Sequence, residues 1–302
     1  MTWLWIPITL AAAVSQNLRT ALQRHLKGRL STNGANFTRY AFGLPFALGY
    51  ALFLHGGIGL AWPEPDASFF GWVLLGGVSQ ILATSLLIEA MTRRNFAAGI
   101  AYSKTEVVQA ALFEAAFLGI ALTAGGIAAI ALATIGVMLI SLRRSDAPWR
   151  DLLTGWTDIA ALLGLASGGL FAISAVAFRA ASIGLGHESF VMSAGYTLAW
   201  AQTLQTLLLG LWLAAREPGQ LDAVARAWRP GTLVGLTGTL GSICWFTAFT
   251  IQVAAYVRTL GLFELVLTFL VGRFAFGERA SRFEILGVAA LIAGIVLVLH
   301  SH

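Results

Sequence analysis

One cysteine, Cys244, stands in a chain of 302 residues. That excludes an intramolecular disulfide and a cysteine-based metal site. Charge is scarce as well: Asp, Glu, Lys and Arg together make up 11%, against about 25% in soluble domains. Too few charged side chains remain to cover a water-facing surface, which argues against a soluble enzyme. Disorder is excluded by the 58% of hydrophobic residues. The five histidines, His25, His55, His187, His300 and His302, show no ligand spacing on one helix, so no metal is expected. No Ser-His-Asp arrangement can be assembled, so no catalytic residue is named and no cofactor is called for.

What the chain has is apolar length, with a mean hydropathy of +0.78. A membrane span needs about 20 residues. Ten apolar runs lie near 3–27, 33–56, 67–92, 97–118, 122–142, 158–182, 189–214, 230–251, 255–275 and 283–300. Turn signals separate several of them: Gly28, Gly56 with Gly57, Pro63 with Pro65, Pro148, Pro218 and Pro230. The breaks at 93–96, 119–121 and 252–254 are weak and predict very tight turns. Only Met1 and Thr2 precede the first run, without the basic region and cleavage site of a secretory signal, so it reads as a permanent helix.

Positive charge sets the expected orientation. Lys27, Arg29, Arg93, Arg94, Arg143, Arg144, Arg150, Arg216, Arg226, Arg229, Arg273, Arg279 and Arg282 all fall after odd-numbered runs. Cytoplasmic loops carry such an excess, so both termini are expected on the outer side. The pI of 9.9 therefore reports topology, and no nucleic-acid partner is expected. Trp3, Trp5, Trp62, Trp72, Trp149, Trp156, Trp212 and Trp228 lie near span ends, as an interfacial belt would.

A shift of 158 residues lays the chain on itself. Gly77 falls on Gly235, Thr84 on Ser242, Ala90 on Ala248, Glu106 on Glu264, Val108 on Val266, Gly119 on Gly277, Ile127 on Ile285 and Gly136 on Gly294. Each half holds five runs, and an odd number inverts the second half relative to the first. The expected fold is therefore an all-α integral membrane protein. Its ten transmembrane helices would form two inverted five-helix repeats, 1–145 and 158–302, joined by a cytoplasmic linker at 146–157. Inverted repeats are the design of secondary transporters with a site near the midplane.

The segment Gly261–Val298 resembles the last two helices of an EamA-type transporter of the drug/metabolite transporter superfamily. The features that carry the resemblance are Gly277-Glu278-Arg279, Ser281, Glu284, Gly287 and Gly294. The first half holds a worn copy, Phe117-Leu118-Gly119, with Ile120 where the family usually has Glu. The resemblance implies export, less often uptake, of small metabolites such as amino acids without ATP. The absence of a Walker A pattern agrees with that.

Charges inside a bilayer are costly, so each is a functional candidate. Glu106 and Glu264 each lie about 13 Å into their runs, near the middle of a core about 30 Å thick. They are candidates for binding a proton or a cationic group. Gln16, Arg19, Thr20, Gln23 and Arg24 form a polar stripe on the first run. Arg19, Arg39 and Lys104 are expected to share a layer with Glu106, leaving a small positive surplus against Glu106 and Glu89. That surplus would hold a carboxylate or phosphate, with a salt-bridge gate or snorkelling as the structural alternative. On run 4, Tyr102, Glu106 and Gln109 are expected on one face, while Glu114 lies nearer the outer end and is expected to reach water. Arg258 would gate the outer side or cap a helix end. Trp200, Gln202, Gln205, Gln80 and Trp245 lie near mid-depth as an aromatic and amide wall, unless they only pack. The glycines at 231, 235, 238 and 241 predict close helix contact.

The expected function is secondary transport of a small-molecule substrate by alternating access, with export from a bacterial inner membrane and proton coupling through the two glutamates. The alternatives are uptake or antiport of an anionic metabolite, drawing on Arg19, Lys104 and Arg258, and, more remotely, a membrane enzyme acting on lipid. The lipid bilayer is the expected surrounding. A monomer suffices, because ten helices can enclose a pathway.

Overall fold

The computed structural model describes residues 3–26, 30–92, 102–141, 159–274 and 281–301. The expected linker at 146–157, the tight turn at 93–96, and Gly277-Glu278-Arg279 lie outside the described residues, as do Lys27, Arg29, Arg93, Arg94, Arg143, Arg144 and Arg150. Among the described residues there are helices and no strands. In chain order they are α1 (Trp5–Leu26), α2 (Thr32–Ala41), α3 (Leu44–Gly56), α4 (Ala67–Thr92) and α5 (Glu106–Leu118). Then come α6 (Ala124–Ser141), α7 (Ile159–Gly184), α8 (Phe190–Arg216) and α9 (Pro218–Arg226). The last four are α10 (Trp228–Ile251), α11 (Ala254–Gly261), α12 (Phe263–Phe274) and α13 (Arg282–His300).

Among the described residues, six helical stretches are long and apolar enough to cross a membrane: Thr32–Gly56, Ala67–Ala90, Ile159–Gly184, Phe190–Arg216, Trp228–Ile251 and Arg282–His300. Ala124–Ile140 is apolar but shorter. The other three expected runs fall short for visible reasons. The polar stripe lowers the hydropathy of α1, α5 has only 13 residues, and 255–275 is split at Leu262 and holds Arg258, Glu264 and Arg273.

Local chemistry accounts for the ends and breaks. Gly119 ends α5 in the left-handed region, at φ 66°, which a glycine adopts without strain. Only Gln252 and Val253 separate α10 from α11. Pro230, expected to mark a turn, instead lies in the first turn of α10, where a missing N–H costs no helical bond. Pro45 stands just inside α3. Its missing N–H cannot bond the carbonyl one turn back, and the chain steps at Phe42 and Gly43 between α2 and α3.

The chain forms two compact units: Met1–Ile81 with Ser174–Gln252, and Leu82–Ile173 with Val253–His302. This partition differs from the halves 1–145 and 158–302, because each unit draws helices from both.

In the first unit α1 packs along α10. A Cβ added at Gly241 would sit 3.3 Å from Ser15 Cβ, and one at Gly238 would sit 3.2 Å from Arg19 Cδ. At Gly231 and Gly235 the same stripe admits Phe42 and the backbone of the α2–α3 step. Phe178 fills the space beside Gly76 and packs on Phe246, ring centroids 4.5 Å apart. The short α9 ties back to α2. Ser31 Oγ donates to Glu217 at 2.6 Å, Asn33 Nδ2 donates to Glu217 at 3.2 Å, and Ser31 N donates to Gln220 at 2.8 Å.

In the second unit α6 lies against α13 at backbone contact. A Cβ at Gly136 would meet Gly287 O, Leu291 N and Leu291 Cα; one at Gly294 would meet Ala129 O, Ala133 N and Ala133 Cα. Adding 158 turns 129, 133 and 136 into 287, 291 and 294, so the two sets of contacts interchange. Ser281 and Glu284 form a capping box at the start of α13. Ser281 Oγ accepts from Glu284 N at 3.1 Å, and Glu284 accepts from Ser281 N at 3.4 Å.

Gly294→Ala should lower stability by about 1–3 kcal/mol through overpacking. Gly49, with nothing within 4 Å of an added Cβ, is the control. Thermal unfolding of detergent-purified protein should give a clear fall for the first substitution and none for Gly49→Ala.

Candidate functional site

The two helix irregularities of the second unit both fall just before a glutamate. Residues 104–105 form a turn, and α5 begins at Glu106. Leu262 interrupts the path between α11 and α12, and Glu264 lies in the first turn of α12. A carboxylate in a first turn sits beside unbonded N–H groups at the positive end of the helix dipole.

Four charges meet there. Lys104 Nζ donates to Glu264 Oε1 at 2.5 Å. Arg258 Nη1 stands 3.7 Å from Glu106 Oε1. Each pair joins the 102–118 segment to the 254–274 segment, and each acid faces a base from the other segment. The side chains are 19% and 11% exposed in the first pair and 12% and 10% in the second. Two cations and two anions sum to zero, the condition under which such charges tolerate a dry setting. The positive surplus expected around Lys104 is thereby corrected: Glu264 cancels its charge. Arg258, expected to gate the outer side or cap a helix end, faces Glu106.

Glu114 is the second correction. It does not reach water; it is fully buried. Its Oε1 accepts from Ala254 N at 2.8 Å and its Oε2 from Ala255 N at 3.1 Å. It caps the start of α11, where backbone N–H groups have no helical partner. Arg179 does the converse: its Nη1 donates to Phe249 O and Gln252 O, both at 2.5 Å, at the end of α10.

Gln109 is engaged structurally. Its Nε2 donates to Thr105 Oγ1 at 2.9 Å and to Leu165 O at 3.3 Å. A Cβ at Gly168 would come within 2.7 Å of Ser103 O, so α7 passes directly against the turn at 104–105. That turn also interrupts the single face expected for Tyr102, Glu106 and Gln109. Tyr102 is buried, and its carbonyl accepts from Thr105 Oγ1 at 2.6 Å.

The remaining candidates lie in the first unit. Trp245 Nε1 donates to Gln16 Oε1 at 3.2 Å. Gln202 Nε2 donates to Tyr40 O at 3.4 Å and to Thr239 Oγ1 at 3.3 Å, while Thr239 Oγ1 donates to Gly43 O at 3.1 Å. These bonds reach the Tyr40 and Gly43 carbonyls on either side of the α2–α3 step; the Gly43 carbonyl also accepts from Ala47 N at 3.0 Å. Gln205 Nε2 donates to Gln80 Oε1 at 2.8 Å and to Gly77 O at 3.4 Å. Trp200 is not gathered with them; it is 40% exposed and meets Phe70 edge-on. Arg19 and Arg39 both flank Gly238, and the Arg39 guanidinium lies 5.2 Å from the centre of the Tyr40 ring. The side chains of Gln23 and Arg24 lie outside the described residues. The sequence does not single out Thr239 or Arg179 as site residues. Nothing in one threonine of a glycine-rich stretch announces that it bonds a distant carbonyl.

Glu114→Ala should destabilise by about 1–3 kcal/mol, because two buried N–H groups lose their acceptor; chemical denaturation reads this. Lys104→Met and Glu264→Gln should each destabilise by about 3 kcal/mol, because each strands a charge. The double substitution should cost less than the sum, and a double-mutant cycle measures that coupling.

Comparison with known proteins adds the lineage. Residues 3–142 match the EamA-like transporter family. The match covers the half with the worn marker at Ile120, while the features that carried the resemblance in the sequence lie in the other half. A crystal structure of another protein superposes with a TM-score of 0.66 at 15% identity, covering 97% of this chain and 96% of that chain. That likeness establishes the fold alone. No curated protein matches the chain. Residues 3–142 are similar to the EamA-like transporter family, which is part of the drug/metabolite transporter superfamily.

Proposed function

We propose that this multi-pass membrane transporter is a proton-coupled exporter of small zwitterionic metabolites, such as amino acids, working by alternating access in a bacterial inner membrane. The observation that carries the reading is the balanced quartet of Lys104, Glu106, Arg258 and Glu264 at two helix breaks. Broken helices are where secondary transporters build their sites. A carboxylate of a bound molecule can take the place of Glu264 or Glu106 opposite a base. An ammonium group or a proton can take the place of a base opposite an acid. A zwitterion does both and leaves the net charge of the site unchanged.

The ten-span, inverted-repeat architecture is part of this proposal. It is supported by the interchange of the Gly136 and Gly294 contacts under the 158-residue offset. It is also supported by helix irregularities at 104–105 and 262 that obey the same offset. The basic loops after odd-numbered runs support outer termini. Uptake of an anionic metabolite is less well supported, because both bases of the quartet already face acids.

Reconstitution into proteoliposomes tests the proposal. Wild-type protein should exchange a labelled amino acid in counterflow and respond to an imposed proton gradient. Glu106→Gln, folded and correctly inserted, should reduce gradient-driven transport at least tenfold or abolish its pH dependence. Transport and a pH profile equal to wild type in that variant would overturn the role of Glu106.

A further inference from the structure

Outside the quartet, the described residues hold a second polar group that none of the contacts above uses. Asn36 and Tyr40 lie four residues apart on α2, on one face and about 6 Å apart along the axis. Asn36 is 2% exposed and Tyr40 is 1% exposed. Among the described residues, neither amide atom of Asn36 nor the Tyr40 hydroxyl has a hydrogen-bond partner. Their helix neighbours are satisfied: Thr38 Oγ1 donates to Gly34 O at 2.9 Å, and the Tyr40 carbonyl accepts from Gln202. Burying a polar group without a partner costs more than leaving an apolar group there, so such atoms are few in folded chains. Here three fall within one turn of a single helix, immediately before the α2–α3 step.

The chemistry of the three atoms defines their complement. The Asn36 amide presents a donor and an acceptor side by side. The Tyr40 hydroxyl adds a third group of either kind. The Arg39 guanidinium lies 5.2 Å from the centre of the Tyr40 ring and biases the neighbourhood towards an anion. A ligand head that accepts at one point and donates at another satisfies all three.

We infer that Asn36 and Tyr40 form a ligand-contacting subsite on α2 that receives the α-amino-acid head group. In this arrangement the ligand carboxylate accepts from Asn36 Nδ2 and the Tyr40 hydroxyl, while the ligand ammonium donates to Asn36 Oδ1. The inference rests on the zwitterion reading above for its ligand class, but not on the coupling role of Glu106.

The test uses full-length protein in detergent with Tyr40→Phe and Asn36→Leu, read by thermal unfolding and by equilibrium binding of the proteinogenic L-amino acids, each alone. Propionate and ethylammonium serve as half-ligand controls. In the absence of amino acid, both variants should be as stable as wild type or more so, since each removes buried polar atoms without partners. Affinity for the amino acid that most stabilises wild type should fall at least tenfold in each, and neither half-ligand should stabilise wild type alone. Variants that lose stability without ligand would show these groups satisfied within the protein and overturn the inference. So would unchanged affinity, or stabilisation of wild type by no amino acid. Loss of transport in Glu106→Gln alongside unchanged binding in the α2 variants would remove the subsite and leave the transport reading standing. The opposite pair of results would do the reverse.

Discussion

Hydrocarbon offers a protein no hydrogen bonds, and the rest of this structure follows from that constraint. Every backbone group released by a helix break, and every charge drawn inside, needs a partner from the chain itself. Gln202 and Thr239 donate to the Tyr40 and Gly43 carbonyls on either side of the α2–α3 step. The start of α11 exposes N–H groups that Glu114 accepts, and the end of α10 exposes carbonyls that Arg179 donates to. Several of the polar residues that stand out in an apolar sequence are there to make helix ends tolerable.

The quartet differs from these caps in kind. Its members bond one another across two segments. A cap must hold in every state of the protein, because an open N–H or carbonyl always needs its partner. Two adjacent ion pairs are exchangeable, since a charged ligand or a proton can substitute for one member without stranding the other. Paired acids and bases at helix breaks therefore suit a site that loads and unloads.

Glycine plays a matching part in packing. Without a hydrophobic driving force between helices in lipid, close backbone approach and dispersion contacts hold a bundle together. Gly136 and Gly294 bring α6 and α13 to backbone contact, and Gly238 and Gly241 let α10 pack on the Arg19 and Ser15 side chains of α1. The Gly136 and Gly294 contacts also interchange under the 158-residue offset.

Much of this is legible in the amino-acid chain by itself. Composition argues against a soluble protein, since 11% charged residues cannot cover a wet surface, and apolar runs about as long as a membrane span point to helices. Periodicity and loop residues mark the helices, because the length of a span and the chemistry of a turn are local properties. The marker residues Ser281, Glu284, Gly287 and Gly294 read as a family resemblance, and in three dimensions they are a capping box and a close-packing face. The glutamates at 106 and 264 stand out because a carboxylate at mid-span is costly wherever it points. Their partners are decided only by tertiary structure. Lys104 reads as part of a basic layer with Arg19 and Arg39, yet it bonds Glu264, 160 residues away. Glu114 reads as a carboxylate reaching water, yet it closes the start of α11. Pairing between distant segments depends on which helices fold together, and sequence spacing carries no record of that.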